Sequence, residues 1–184
     1  MNLYYLSNIA FFGFAIYSLV FIICKYFSFY KKNIAFSKID QAAISVVIVA
    51  GVVYASVWIY DLGTILLHDN PSKRDRLLNR MTGIYAFGFW LQPLSYILFS
   101  QLMRIKKIAN HSVLRFIAAF FLFLNFEKLV IFITSLHRDY LPSSWDMHDD
   151  YSIFGWIIAD WIIKLVIFAS MVMVAFLIKN RKTL

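Results

Sequence analysis

The fold is decided by the stretch AAISVVIVAGVVYASVWIY, residues 42–60, which contains no charged residue. A helix needs about 20 mostly apolar residues to cross the hydrocarbon core of a bilayer. We therefore predict a membrane-spanning helix here, and we expect it to continue a turn or two past Asp61.

The rest of the chain resembles this stretch. Of its 184 residues, 61% are hydrophobic and 19% aromatic, and its mean hydropathy is +0.70. A soluble domain of this size could not bury so much apolar surface, so we predict an integral membrane protein. Five apolar runs separated by short charged loops use nearly the whole chain. The predicted fold is an all-α, five-helix transmembrane bundle in a single domain, with helices at about residues 3–24, 42–67, 81–103, 113–136 and 151–178.

The net charge of +8 would suggest nucleic-acid binding in a soluble protein. Here the basic residues stand at the ends of apolar runs, where they set orientation in the membrane. Eleven Lys and Arg residues lie in the first loop, the third loop and the C-terminal tail when Arg115, at the start of the fourth helix, is counted with the third loop; five lie in the second and fourth loops. We therefore expect the N-terminus outside and the C-terminus in the cytoplasm. The first run lacks the features of a cleaved signal peptide, so we expect a permanent helix.

Cysteine and histidine usage limits the redox chemistry. Cys24 is the single cysteine, which excludes an intrachain disulfide, a cysteine-ligated iron–sulfur cluster and a CxxCH haem attachment. The four histidines have no ligand spacing, so no metal site is predicted. Any redox centre is expected on a partner subunit.

On the second helix, Asp61, Thr64 and His68 share one face with Tyr54 and Trp58. Asp61 and His68 are candidate proton acceptors, because the pKa values of carboxylate and imidazole groups can be tuned toward neutrality. Alternatively, both lie at the headgroup level and are simply solvated.

Two later helices carry charges within apolar runs. Glu127 stands about half-way along the fourth helix, beside Lys128; a buried carboxylate there either pairs with a cation or takes part in proton movement. Asp160 and Lys164 on the fifth helix have the i, i+4 spacing of an ion pair, with cross-pairing to Glu127 as the alternative.

The third helix carries a polar and aromatic stripe, formed by Tyr85, Gln92 and Tyr96. Such a stripe can line a pocket for a molecule with a polar headgroup and an apolar tail. Plain packing between helices is the alternative.

Residues 125–131, NFEKLVI, and 134–145, TSLHRDYLPSSW, carry a family resemblance. They resemble the NrfD/PsrC family of quinol-interacting membrane subunits, and are most similar to the ActC-type subunit of alternative complex III, whose late helix carries an acid–base pair and ends in a nearly identical turn. The layout of Phe89-Trp90, Pro93 and residues 104–108 is similar as well, so the resemblance covers about residues 85–145.

The resemblance implies a bundle that binds a quinol such as menaquinol near the outer face. Electrons pass to an iron–sulfur or cytochrome partner docked there, so haem or iron–sulfur cofactors belong only to partner subunits. It implies an outward loop, which agrees with the orientation obtained from charge, and a place for Glu127 in a proton path. Lys128 stands where the family usually has arginine. The implied partner-docking residues are His137, Arg138, Asp139 and Trp145.

The chain departs from the family in size. Members have eight to ten helices in two bundles, whereas this chain matches the later half, and the quinol site is associated with the earlier bundle. The expected function is a bacterial inner-membrane subunit of a respiratory or related redox complex, quinol-interacting or accessory, and at most part of a quinol-linked oxidoreductase. If it contacts quinol, we expect Asp61 and His68 to accept protons and the stripe on the third helix to line the pocket.

Two other classes of function stay open. One is a non-catalytic anchor that docks a periplasmic partner through the loop of Arg138 and Asp139. The other is a small proton or ion carrier that uses Glu127, Asp160 and Lys164.

Overall fold

The computed structural model describes residues 3–27, 34–68, 70–83, 86–126 and 150–181. These ranges are helical and contain no strand, which confirms the all-α prediction for this part of the chain. The helices are α1 (Leu3–Tyr26), α2 (Ile34–His68), α3 (Pro71–Thr82), α4 (Ala86–Leu102), α5 (Lys106–Asn110), α6 (Ser112–Phe123) and α7 (Asp150–Arg181).

Within the described ranges, three helices are long and apolar enough to cross a membrane. They are α1, α2 over Phe36–Leu67 and α7 over Ile158–Arg181, with mean hydropathies of 2.1, 2.3 and 2.5. By contrast, α4 has 17 residues and α6 has 12. At 1.5 Å per residue these two helices measure about 25 and 18 Å, less than the roughly 30 Å of a hydrocarbon core. The presence of helices of spanning length agrees with the predicted membrane protein. The bundle of five spans and its orientation stay predictions.

The central helix is α1, which packs against α2, α6 and α7. Close approach of the helices depends on two glycines, as is common in membrane bundles. A Cβ added at Gly13 of α1 would lie 2.3 Å from Phe168 Cγ on α7, and one added at Gly51 of α2 would lie 1.9 Å from Ser100 Oγ on α4. Large core side chains come from five helices: Phe11, Phe14, Val47, Tyr54, Tyr96, Leu122 and Phe168.

Two helix boundaries differ from the predictions around the second apolar run. The helix predicted at 42–67 already begins at Ile34, so that Lys38 and Asp40 are helical. Between the second and third runs, Asn70-Pro71 and the mixed charge of residues 69–76 predict a solvated turn. The structure instead has helix α3 there, because Pro71 at the first helical position already has the backbone angle that a helix requires. Every charged residue of α3 is exposed, whereas Leu77 is buried.

The third and fourth predicted helices are also divided differently. Residues 81–82 belong to α3, and α4 begins at Ala86 instead of continuing from 81 to 103. Within the helix predicted from 113 to 136, α6 ends at Phe123, Leu124 and Asn125 are not helical, and Phe126 is helical again; α5 precedes α6 and meets it at His111. Residues 127–136 lie outside the described residues.

Side-chain hydrogen bonds gather four segments at one end of the bundle. Lys25 Nζ at the end of α1 donates to the carbonyl of Asn110 in α5 at 2.5 Å, and Lys179 Nζ near the end of α7 donates to Gln41 Oε1 near the start of α2 at 2.9 Å. We call this end the basic end and define it by Lys25, Lys38, Arg104, Lys106, Lys107, Lys179 and Arg181.

The opposite end joins the start of α1, the last turns of α2, and α3 with the start of α4. Tyr4 contacts Tyr54 edge-on at 4.9 Å between ring centroids, and Trp58 contacts Trp90 at 5.6 Å. Trp90 Nε1 donates to the carbonyl of Met81, which ties α4 to α3. We call this end the α3 end.

Candidate functional site

A buried ion pair joins α2 to α6 just inside the basic end. Arg115 is 0% exposed and Asp40 is 3% exposed. Arg115 Nη2 lies 2.6 Å from Asp40 Oδ1, and Nη1 lies 3.1 Å from Oδ2. These two parallel hydrogen bonds form the bidentate arrangement that makes arginine–carboxylate pairs strong and directional.

The turn between α5 and α6 places the arginine. His111 Nδ1 accepts a hydrogen bond from the backbone N–H of Leu114, which caps α6. Arg115 therefore lies in the first turn of α6, and its Nη1 also donates to the carbonyl of Ala109 at 3.4 Å. A cation near a helix N-terminus is disfavoured by the helix dipole, so the carboxylate of Asp40 supplies the compensating charge.

Helix α1 covers the remaining faces of the guanidinium. Arg115 Nε donates to Ser18 Oγ at 3.3 Å, and Ser18 is itself fully buried. The guanidinium carbon lies 3.9 Å from the ring centroid of Phe21, 5.4 Å from that of Phe14 and 5.8 Å from that of Tyr17. Such cation–π contacts gain strength where water is excluded. The pair therefore connects three helices and has its polar groups well satisfied.

The chemistry available to this pair is structural. An arginine side chain keeps its proton in proteins, and both carboxylate oxygens of Asp40 are engaged by it. The arrangement can fix the relative positions of α1, α2 and α6, and it is poorly suited to passing protons.

Sequence reasoning missed this site, because Asp40 was placed before the second helix and Arg115 was counted among the cations of the third loop. One signal was present: Asp40 is the single acidic residue in the three segments expected on the cytoplasmic side, 25–41, 104–115 and 179–184. An acid alone among so many cations is a natural partner for one of them.

The predicted partners Asp160 and Lys164 are brought together on α7. Lys164 Nζ lies 2.5 Å from Asp160 Oδ2, and their side chains are 24% and 44% exposed, respectively. The ammonium also lies 5.4 Å from the ring centroid of Phe12 on α1, and that ring contacts Trp161. This pair is therefore more open than the pair of Arg115 and Asp40.

The predicted proton acceptors lie at the α3 end. Asp61 is exposed, and Thr64 Oγ1 donates to the backbone carbonyl of Asp61, not to its carboxylate. His68 ends α2, and its side chain lies outside the described residues. The described geometry therefore supports solvation of Asp61 better than a buried proton relay.

Two members of the predicted quinol stripe are adjacent. Gln92 Nε2 donates to the hydroxyl of Tyr96 at 3.5 Å, and that hydroxyl donates to the carbonyl of Leu124 at 3.1 Å. Tyr96 is 4% exposed and packs between the rings of Phe11 and Tyr54. It is thus a core residue. The third member, Tyr85, lies outside the described residues.

The remaining predicted residues, namely Glu127 and the docking residues His137, Arg138, Asp139 and Trp145, also lie outside the described residues. Within the described ranges, no group of three or more His, Cys, Asp or Glu side chains is placed to hold a metal ion. The chain matches no protein-family model and no curated protein. The resemblance of residues 85–145 to the NrfD/PsrC family therefore stays a prediction.

Proposed function

We propose that this chain is an accessory membrane subunit of a respiratory or related redox complex, similar to the later half of an NrfD/PsrC subunit. The sequence of residues 125–145 supports the class of complex. The observation that supports the accessory role is the buried pair of Arg115 and Asp40, which fixes three helices without offering a group for chemistry.

The described geometry favours this role over a proton or ion carrier. A carrier needs ionisable groups that exchange with water or with one another along a path. Among the described residues, the most deeply buried charges are instead held in a bidentate pair, and Lys164 is already neutralised by Asp160. We therefore expect no proton flux when the protein is reconstituted alone in liposomes, and sustained flux there would support the carrier.

The accessory role is tested by isolating the chain with its neighbours. A tagged chain is extracted from its native membrane in mild detergent, and the masses of co-purifying subunits are read together with a visible spectrum. We expect a partner that carries haem or an iron–sulfur cluster. A complex that contains neither quinone nor an electron-transfer partner would contradict the proposal.

Docking through the loop after the fourth apolar run is tested with matched variants. Under the proposal, Arg138→Ala and Asp139→Asn release the partner, because each removes a charge that we expect at the interface. The control is Arg74→Ala, which removes an exposed cation on α3 and should leave the partner bound. Equal retention by all three variants would show that this loop is not the interface.

Direct quinol contact is the second candidate, and it rests on the family resemblance and on the sequence spacing of Asp61 and His68. In that case Asp61→Asn and His68→Gln slow quinol turnover by the purified complex, because each removes a proton acceptor. Unchanged turnover in both variants leaves the accessory role as the function.

A further inference from the structure

We propose that the basic end is a binding surface for the phosphate headgroups of anionic phospholipids. The proposal is independent of the redox function, because it concerns a different surface and different residues. It begins with the way four segments converge: the hydrogen bonds from Lys25 to Asn110 and from Lys179 to Gln41 hold the end of α1, the start of α2, α5 and the end of α7 together.

The charge of this surface is strongly one-sided. It presents seven cations, and all except the half-buried Lys25 are exposed. The described acid at this end is Asp40, which is 3% exposed and already paired with Arg115. No acidic side chain among the described residues therefore neutralises the seven cations. Their field attracts an anion from outside the chain.

The position of the surface favours a lipid over a soluble anion. Lys25, Lys38, Lys179 and Arg181 stand near the ends of α1, α2 and α7, the helices that are long and apolar enough to span. The other three cations stand in the turn after α4 and in α5, which Lys25 ties to the end of α1, so the surface lies at the level of the headgroups. Apolar side chains alternate with them: Ile105 between Arg104 and Lys106 is 48% exposed, and Ile178 beside Lys179 is 56% exposed. A phosphate joined to acyl chains satisfies both kinds of side chain at once.

The α3 end provides an internal comparison. It carries Lys73, Arg74, Arg76 and Arg80, but the acidic Asp75 stands among them, and the last turns of α2 carry a second exposed acid, Asp61. Helix α3 is also polar along most of its length and exposes few apolar side chains. We therefore expect the weaker anionic-lipid binding at this end.

The test uses the full chain, purified in mild detergent and stripped of lipid. Binding of dioleoyl phosphatidylglycerol is measured against dioleoyl phosphatidylcholine, which has the same acyl chains and no net charge. The triple variant Arg104→Gln/Lys106→Gln/Lys107→Gln is compared with Lys73→Gln/Arg74→Gln/Arg76→Gln on α3. All six residues are exposed, so both proteins should elute from size exclusion as the wild type does.

A cation at an anionic membrane surface typically contributes about fivefold in binding. We expect the wild type to prefer phosphatidylglycerol, the first triple variant to weaken that binding by at least about tenfold, and the α3 variant to weaken it by less than about threefold. Equal binding of the two lipids by the wild type overturns the proposal. Equal loss in the two variants overturns the assignment to the basic end, and displacement of the lipid by an equal concentration of inorganic phosphate identifies a soluble anion as the occupant.

Discussion

Removing one member of the buried ion pair should destabilise the bundle more than any exposed charge substitution. In Arg115→Gln, the carboxylate of Asp40 keeps its buried position and loses both hydrogen bonds that the guanidinium supplied. The contacts with Ser18 and the ring of Phe21 are lost as well. Breaking a buried pair in this way costs about 3–5 kcal/mol.

This cost can be measured by thermal unfolding in detergent. For a chain of 150–250 residues, 1 kcal/mol corresponds to about 2–4 °C in Tm, so Arg115→Gln should lower Tm by about 6–20 °C. Asp40→Asn should lower it by a similar amount, because the guanidinium then stays buried without a counter-charge. Replacing both residues by Leu and Met should cost much less than the sum of the single effects, because it leaves no uncompensated charge.

The matched control is Arg74→Gln, the same chemical change at an exposed position of α3, which should change stability by no more than about 0.5 kcal/mol. The reasoning is refuted if Arg115→Gln lowers Tm no further than Arg74→Gln. It is also refuted if the effects of the single substitutions at Asp40 and Arg115 simply add in the double variant.

Two further substitutions test the packing around the core by the same thermal assay. Gly51→Ala forces α2 away from Ser100 on α4 and should lower the free energy of unfolding by about 1–3 kcal/mol. Gly63→Ala, where a Cβ meets open space, is the control and should be close to neutral. Equal changes in Tm would contradict the close approach of α2 and α4 at Gly51. Tyr96→Phe removes a buried hydroxyl and its hydrogen bond to a backbone carbonyl, and should lower the free energy of unfolding by about 0.5–1.5 kcal/mol. Its control is Tyr60→Phe, at a residue that is 70% exposed, which should lower that free energy by less than about 0.5 kcal/mol. A larger effect at Tyr60 than at Tyr96 would be inconsistent with the described core.

The class of structure could be predicted from the sequence because apolar runs of spanning length are a strong local signal. The run at 42–60 lies within α2, and the first run coincides with α1 to within a turn. Helix α3 was missed because Asn-Pro with mixed charge marks the start of a helix as readily as a turn. The difference depends on a tertiary contact, the burial of Leu77 against its neighbours, which local sequence does not contain.

The candidate site was harder to predict for a related reason. Helical spacing shows which residues share a face, and it correctly brings Gln92 next to Tyr96. Spacing does not show which face points inward, so the same stripe is compatible with a pocket wall or with the core position that Tyr96 occupies. The pairing of Asp40 with Arg115 spans 75 positions of sequence, and it becomes visible only when α1, α2 and α6 are packed together.

The choice of partner for Asp40 explains how one end of the bundle can be both strongly basic and well packed. Several lysines lie at the same end, yet the carboxylate pairs with Arg115. A guanidinium offers two parallel donors to a carboxylate and a flat face to an aromatic ring, whereas a lysine ammonium is a compact and strongly hydrated charge. The arginine can therefore be buried against Phe21 and Ser18, while the lysines keep their charge toward the surface. The charge of Asp40 is therefore neutralised inside the bundle. It does not neutralise the exposed cations of the basic end, whose charge is available to the anionic lipids that we propose bind there.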